Sequence, residues 1–338
     1  MHIAVFSDLH LDVNKDYPFT FTNRSGIDAV AIAGDISGDP STTTKFLDDS
    51  FPEDGNGPEV VFVSGNHDVY NHLDLPLEDL KKKLHEKFTV DSRVTYMDES
   101  VGVVSKKIGD VLFVGSCLYT DYKLPCELHR QDMTPQEYNM MVAVPRMSGG
   151  GLNDFNWGLV KEGTYKKDKG SFFDRSKYYR LRPKNYLLYH KRTMRAFKKV
   201  VESNPNEKVV LLTHHCMTPK CIHASYVDSY MNASYVSDLE KFITSHPNIK
   251  AVFSGHVHHR MEDHIGNCLV LTNPRGYCHH GEDRDFTIGK TGGGDWTPYC
   301  IVDTEDWTVE RIPYTDKVWE RQHKKDDAAY KRALAMFG

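Results

Sequence analysis

Five apolar runs in this 338-residue chain end in residues that bind metals or move protons. The ends read Asp8-Leu9-His10, Gly34-Asp35, Gly65-Asn66-His67-Asp68, Thr213-His214-His215 and Gly255-His256-Val257-His258. Carboxylate, amide and imidazole donors without thiolates suit Mn, Fe or Zn ions better than a soft-metal site. In an extended segment, residues two apart point to one side, so Asp8 can converge with His10, and His256 with His258. His259, the next residue, falls on the other face with Val257. Two ions sharing one bridging carboxylate need about seven protein ligands, and such pairs, ~3.5–4 Å apart, clamp an in-line displacement at phosphorus.

Taken singly, Asp8, Asp35 and Asn66 read better as helix N-caps after βα turns. Taken together with three histidine-bearing ends, they read as a metal centre. Gly34, Gly65 and Gly255 are expected to let the backbone turn sharply at each exit. Asp12 and Asp68 either orient ligating imidazoles or act as caps. His215 points away from its neighbour His214 and is assigned either to the substrate mouth or to packing.

The elements that must carry these residues are strands. Near-continuous Val, Ile, Leu and Phe at 3–10, 28–35, 59–68, 111–117, 208–215, 249–258 and 267–277 indicates strands buried on both faces. Helical spacing appears at Leu77, Leu80, Leu84 and Phe88, and at Leu187, Met194, Phe197 and Val201, with a third candidate helix at 235–246. Strands alternating with helices imply an α/β layered fold, in which ligands bind beyond the carboxyl ends of the strands. Residues 119 to about 185 break the rhythm and read as an insertion, functional or with short helices of its own. A loop at 278–298 and a charged helical tail at about 316–338 complete one domain over residues 1–338.

Bulk properties exclude several classes. A net charge of -5 gives no basic field for nonspecific nucleic-acid binding. Mean hydropathy is -0.53 and no run is long enough to span a membrane. The start "MHIAVFSDLH" has no cleavage-site pattern. Seven scattered cysteines without a CxxC read as free thiols, so a cytoplasmic location is expected. Cys216, Cys221 and His223 are too loosely spaced for a zinc site. "IGKTGGG" (288–294) is not a P-loop, because neither Arg284 nor Asp285 is the first glycine the motif needs.

The ordered set DxH, GD, GNHD, a strand-end His and GHxH, running from residue 8 to residue 258, resembles the calcineurin-like metallophosphoesterase superfamily. "NPRGY" (273–277) resembles a signature of one bacterial and phage-type branch, and "LYTDY" (118–122) and "GLNDF" (151–155) resemble that branch's insertion. The resemblance implies a four-layer α/β/β/α sandwich with a dinuclear centre at one edge. Carried over, Asp8, His10 and His258 would hold one metal, Asn66, His214 and His256 the other, and Asp35 would bridge. A hydroxide between the two ions would attack phosphorus, since metal binding lowers the pKa of water to roughly 7 in known zinc cases. His67 would stand by the leaving group.

Tentative substrate contacts are His215, Arg275, Tyr119, Asp121, Asn153 and Asp154. For Arg275 a phosphate grip competes with a structural ion pair; for the insertion residues a pocket competes with packing. The substrate expected is a small phosphodiester or phosphomonoester such as a nucleotide. A nuclease using the Lys/Arg-rich stretch 161–199, and a non-catalytic scaffold of the same fold, are the alternatives. The protein Ser/Thr phosphatase branch is disfavoured, because "GDISGDP" lacks its GDxxDRG extension. No membrane partner is expected, and no feature sets an oligomeric state.

Overall fold

Strand alternation divides the apolar side chains between two sides, and that division sets the layering. In β1 (His2–Phe6), Ile3 and Val5 enter one core while Ala4 and Phe6 enter another. β2 (Ala29–Ile32) and β3 (Glu59–Phe62) divide in the same way. The structure is a computed structural model that describes residues 1–17, 19–23, 26–53, 55–70, 76–125, 132–145, 150–160, 179–278 and 298–312. These three strands run parallel with β4 (Val94–Tyr96), and β13 (Cys300–Asp303) and β14 (Val309–Arg311) extend the other edge antiparallel, in the order β14-β13-β1-β2-β3-β4.

The second sheet is built from β5 (Ser105–Ile108), β6 (Val111–Ser116), β9 (Lys208–Thr213), β10 (Ile249–Ser254), β11 (Met261–Ile265) and β12 (Cys268–Thr272). Its order is β11-β12-β10-β9-β6-β5, with the four central strands parallel. A separate antiparallel pair joins β7 (Leu159–Val160) and β8 (Tyr179–Arg180). Val5, Ala31, Val61 and Val63 meet Phe113, Leu212, Phe253 and Leu271 in an inner core between the sheets. Each such side chain, fully buried, contributes roughly 1.5–3 kcal/mol.

Helices cover both outer faces. α1 (Pro40–Ser50) and α2 (Leu77–Lys87) lay Phe46, Leu47, Leu77, Leu80 and Leu84 over Phe6, Ile32 and Phe62. α5 (Pro183–Ser203) and α6 (Glu240–Thr244) lay Phe197, Val201 and Ile243 over Val209, Leu211 and Val252. The result is the four-layer sandwich expected. Among the described residues, no helix is long and apolar enough to cross a membrane.

Inside the stretch read as an insertion, α3 (Pro135–Ala143) and α4 (Asp154–Trp157) are short helices of its own. α3 opens on a capping box between Thr134 and Glu137 with proline in its first turn, a signal present in the sequence and overlooked. The helix expected at 235–246 is shortened to five residues. The physical reason lies in the backbone: Val236 pairs in parallel with Cys216, Ser237 N–H donates to the Cys216 carbonyl at 3.0 Å and Leu239 N–H to that of Met217 at 2.9 Å, so 236–239 runs alongside that segment before the chain turns helical. The tail at 316–338 and most of the 278–298 loop lie outside the described residues.

Candidate metal centre

All five motif ends emerge on one side of the sandwich. β1, β2 and β3 deliver Asp8 and His10, Asp35, and Asn66 and His67; β9 and β10 of the second sheet deliver His214, and His256 and His258. The site therefore sits on the seam between the sheets, and hydrogen bonds cross it. His256 N–H donates to both Asp8 carboxylate oxygens, at 3.0 and 3.1 Å. His214 Nδ1 donates to the Ala33 carbonyl at 2.8 Å.

Convergence is achieved differently from the expected strand alternation. β1 ends at Phe6 and β10 at Ser254, so both residue pairs lie beyond the extended segments. Asp8, His10, Asp35, His256 and His258 instead adopt left-handed backbone, with φ of 52, 45, 53, 69 and 47°. Such residues cost of order 1–3 kcal/mol each and gather where surrounding structure imposes them for a purpose. The glycines also act differently. Only Gly34, at φ 87°, makes a left-handed turn. Gly65 and Gly255 supply space: a β-carbon on either would lie 1.9 Å from Asp35 Oδ1 or 2.4 Å from Asp8 Oδ2.

Two donor groups result. Asp8, His10 and His258 offer ligand atoms within 4.8 Å of one another, and Asp35, His214 and His256 form a second such group. Asp35 Oδ2 stands between them, 3.8 Å from His10 Nε2 and 3.3 Å from His214 Nε2. Because Nδ1 of His214 holds its proton against Ala33, Nε2 points its lone pair at Asn66 Oδ1, 2.8 Å away. Acceptors aimed at one another call for a positive charge. The electrostatics agree: burial alone would lower the His214 imidazole, but Asp35 carries it up to about 9. A cation can take the place of that proton. His256 Nε2 is buried without a hydrogen-bond partner among the described residues, and burial, His215 and His214 hold its pKa low, so it is a neutral donor at pH 7. These residues fit a pair of metal ions.

His67 is 8% exposed and lies beside the two groups, its ring 4.6 Å from that of His10. Its Nε2 faces Asp12 Oδ2 at 3.4 Å, and although burial opposes it, Asp12 and Asp35 raise its pKa. Asp12 thus orients His67 rather than a ligating imidazole. Asp68 instead accepts from Gly65 N–H at 2.6 Å and Ser37 N–H at 3.4 Å, and so braces the turn.

The tentative substrate residues fare differently. His215 is fully buried, its ring 4.2 Å from that of His256 and 5.5 Å from that of Tyr119, so it packs behind the site. Tyr119 is turned into the core by left-handed backbone at Leu118 and Tyr119, and meets Tyr186 at 4.4 Å. Arg275 is also fully buried, donating to the Tyr17 carbonyl at 2.7 Å over the Phe19 ring. All three side chains are thus buried in the structure. Asp121 closes a turn by accepting from Lys123 N–H at 3.0 Å. Asn153 is exposed. Asp154 is fully buried and accepts from Asn66 Nδ2 at 2.7 Å.

Of "NPRGY", Tyr277 reaches the centre and was passed over. Its ring lies 4.5 Å from that of His10 and 4.9 Å from that of His258, with its hydroxyl 3.5 Å from His67 Nδ1. The rest of the motif zips onto the first loop: Ser7 N–H donates to Asn273, Arg275 N–H to Ser7 and Gly276 N–H to Asp8. His259 packs against His223 and joins neither donor group. Among the described residues, Cys216, Cys221 and His223 form no third group.

A four-layer α/β sandwich carrying this donor array beyond its strand ends defines a metal-dependent phosphoester hydrolase. The chain belongs to the calcineurin-like phosphoesterase family, whose model matches residues 1–260. The fold is similar to that of the phosphopantetheinyl hydrolase of Mycobacterium tuberculosis, which is 14% identical, with TM-score 0.56 over 84% of this chain and 93% of that one. A dimetal phosphatase from Danio rerio is 13% identical, with TM-score 0.40 over 80% of this chain and 86% of that one. No curated protein matches the chain.

Proposed function

We propose that the protein hydrolyses a small phosphoester, a phosphodiester or phosphomonoester such as a nucleotide, with two metal ions held at the sheet seam. Asp8, His10 and His258 would hold one ion, Asn66, His214 and His256 the other, and Asp35 would serve both. The observation that carries this reading is the position of Asp35 Oδ2 between the two imidazoles of His10 and His214. When bound, such ions polarise the phosphoryl group and make water acidic enough to attack near neutral pH.

The chain's own residues do the rest. Asn66 contributes a neutral oxygen, which limits the negative charge facing an incoming phosphate. His67 holds a proton beside the departing oxygen, and Asp12, at Nε2, favours that charged form. Asp8, His10, Asp35, Asn66 and His214 are all nearly or fully buried, which supports a recessed site and a small substrate over a polymer. The seven cysteines are scattered without a CxxC, and the six described ones are buried, which supports action in a reducing compartment such as the cytoplasm. We read the whole chain as one domain, with the 119–185 insertion belonging to it.

The test is hydrolysis of an aryl phosphomonoester and a bis-aryl phosphodiester, with Mn, Zn or chelator, by wild type and Asp35→Asn. Activity that requires metal and collapses in the variant is expected; activity that survives both treatments sinks the proposal. Cleavage of oligonucleotides but of no small ester would favour the nuclease. Two bound ions with no turnover of any phosphoester would favour a scaffold.

A further inference from the structure

We propose that Asp154 is a positioning residue for the second metal site, fixing the amide of Asn66 so that its oxygen, and not its nitrogen, faces the centre. The inference rests on the dinuclear reading above and assigns the inserted segment a part in it.

A side-chain amide has two ends of nearly equal size, and only the oxygen has lone pairs for a cation. An asparagine ligand therefore needs something to choose its orientation. Asn66 Nδ2 donates to Asp154 Oδ1 at 2.7 Å and to the Tyr70 hydroxyl at 3.1 Å, which leaves Oδ1 facing His214 Nε2 at 2.8 Å. Tyr70 also donates its hydroxyl proton to that same Asp154 oxygen. Of the two partners, Asp154 is the one that discriminates. A hydroxyl can donate or accept and so tolerates either end of the amide, whereas a carboxylate only accepts. Flipping Asn66 would set two oxygens against each other at Asp154 and turn an NH2 group toward the metals.

The carboxylate is well held for this purpose. Asp154 is fully buried at the start of α4, and its neighbours Leu152 and Phe155 belong to the core cluster shared with β1 to β3. Its backbone carbonyl accepts from Gly158 N–H at 2.8 Å, where a β-carbon on the glycine would meet that same oxygen at 2.8 Å. Ligand and positioner are 88 residues apart in sequence, so the second site is completed only when the insertion docks.

Metal-stripped wild type, Asp154→Ala and Asp154→Asn are titrated with Mn by calorimetry, with thermal unfolding as a check on folding. Wild type should take two ions. Asp154→Ala should weaken one of the two sites by about 10–100-fold and leave the other unchanged. Asp154→Asn can meet Asn66 with either its amide oxygen or its NH2 group, so it no longer selects an orientation and should weaken the same single site, by less than alanine does. If the alanine variant does not fold, Asp154→Glu, which displaces the carboxylate by a methylene, must show the same one-site loss. Wild-type affinity at both sites in Asp154→Ala (or in Asp154→Glu if it replaces it), equal weakening of both, or wild-type affinity at both sites in Asp154→Asn would overturn the inference. Wild type that binds fewer than two ions would instead defeat the dinuclear reading itself.

Discussion

Gly65 approaches Asp35 so closely that a β-carbon on it would lie 1.9 Å from Oδ1 and 2.6 Å from the carboxyl carbon. Neither backbone turn nor solvent explains this contact; it clears room for the carboxylate that faces both donor groups. Gly65→Ala must therefore displace Asp35. We expect loss of at least one bound metal and a fall in kcat/KM of about 100-fold or more, the scale seen when site geometry shifts by 1 Å. Elemental analysis and aryl phosphate hydrolysis check this; a fully loaded, active variant would show that Asp35 can move without consequence.

His67 should matter in proportion to how badly the leaving group needs a proton. His67→Asn is expected to lower kcat by about 10²–10⁴-fold for an alkyl ester, the usual range for a general acid. With a 4-nitrophenyl ester the loss should be much smaller, because that phenolate departs unaided. Equal losses on both substrates would assign His67 to phosphate binding instead.

A buried ion pair supports the layer behind the site. Lys81 Nζ lies 2.8 Å from Asp98 Oδ2, with side chains 3% and 0% exposed. Burial opposes the lysine charge, but Asp98 and Glu99 more than offset it and raise its pKa. Lys81→Met leaves a buried carboxylate unpaired and should destabilise the fold by about 3–5 kcal/mol. Lys81→Met with Asp98→Asn should recover much of that loss in chemical denaturation. A single variant as stable as wild type would mean that water reaches Asp98.

Asp39 caps α1, accepting from Ser41 N–H at 3.1 Å and Thr42 N–H at 3.3 Å. Slight burial pushes its carboxyl up, but these hydrogen bonds and those of the two hydroxyls hold it below the usual range. A folded pKa below the unfolded one means the cap stabilises above the unfolded value, near pH 4, and is lost as pH falls through the folded value. Asp39→Ala should thus cost about 1 kcal/mol at pH 7. The gap between wild type and variant should close in denaturant melts below that range. A gap that does not change from pH 7 to pH 2.5 would remove the carboxylate from the explanation.

The parts of the fold that could be read in the sequence are those buried on both faces. All seven strands expected from continuous apolar runs are present, and each pairs in parallel with at least one of the others. The strands not foreseen are mostly edge or antiparallel ones such as β5 (SKKI) and β11 (MEDHI), whose polar residues face solvent and break the pattern. The donor sets were legible because their residue types are costly to collect by chance at strand ends. The backbone that makes them converge was not: left-handed φ at Asp8 or His258 leaves only a faint mark in residue type, since Asp and His favour it far less than glycine does. The role of Asp154 was equally hidden, because it depends on a hydrogen bond across 88 positions.

The seam also gives the inner core a second meaning. Asp8, His10 and Asp35 ride on one sheet and His214, His256 and His258 on the other, so the thickness of the layer between them is the gauge of the reaction centre. Ala29, Ala31 and Ala251 keep that layer thin. A methyl group added there, far from any substrate, would widen the gap between the two halves of the donor set. The small side chains that let the sheets touch thus share in setting how far apart the two donor sets stand.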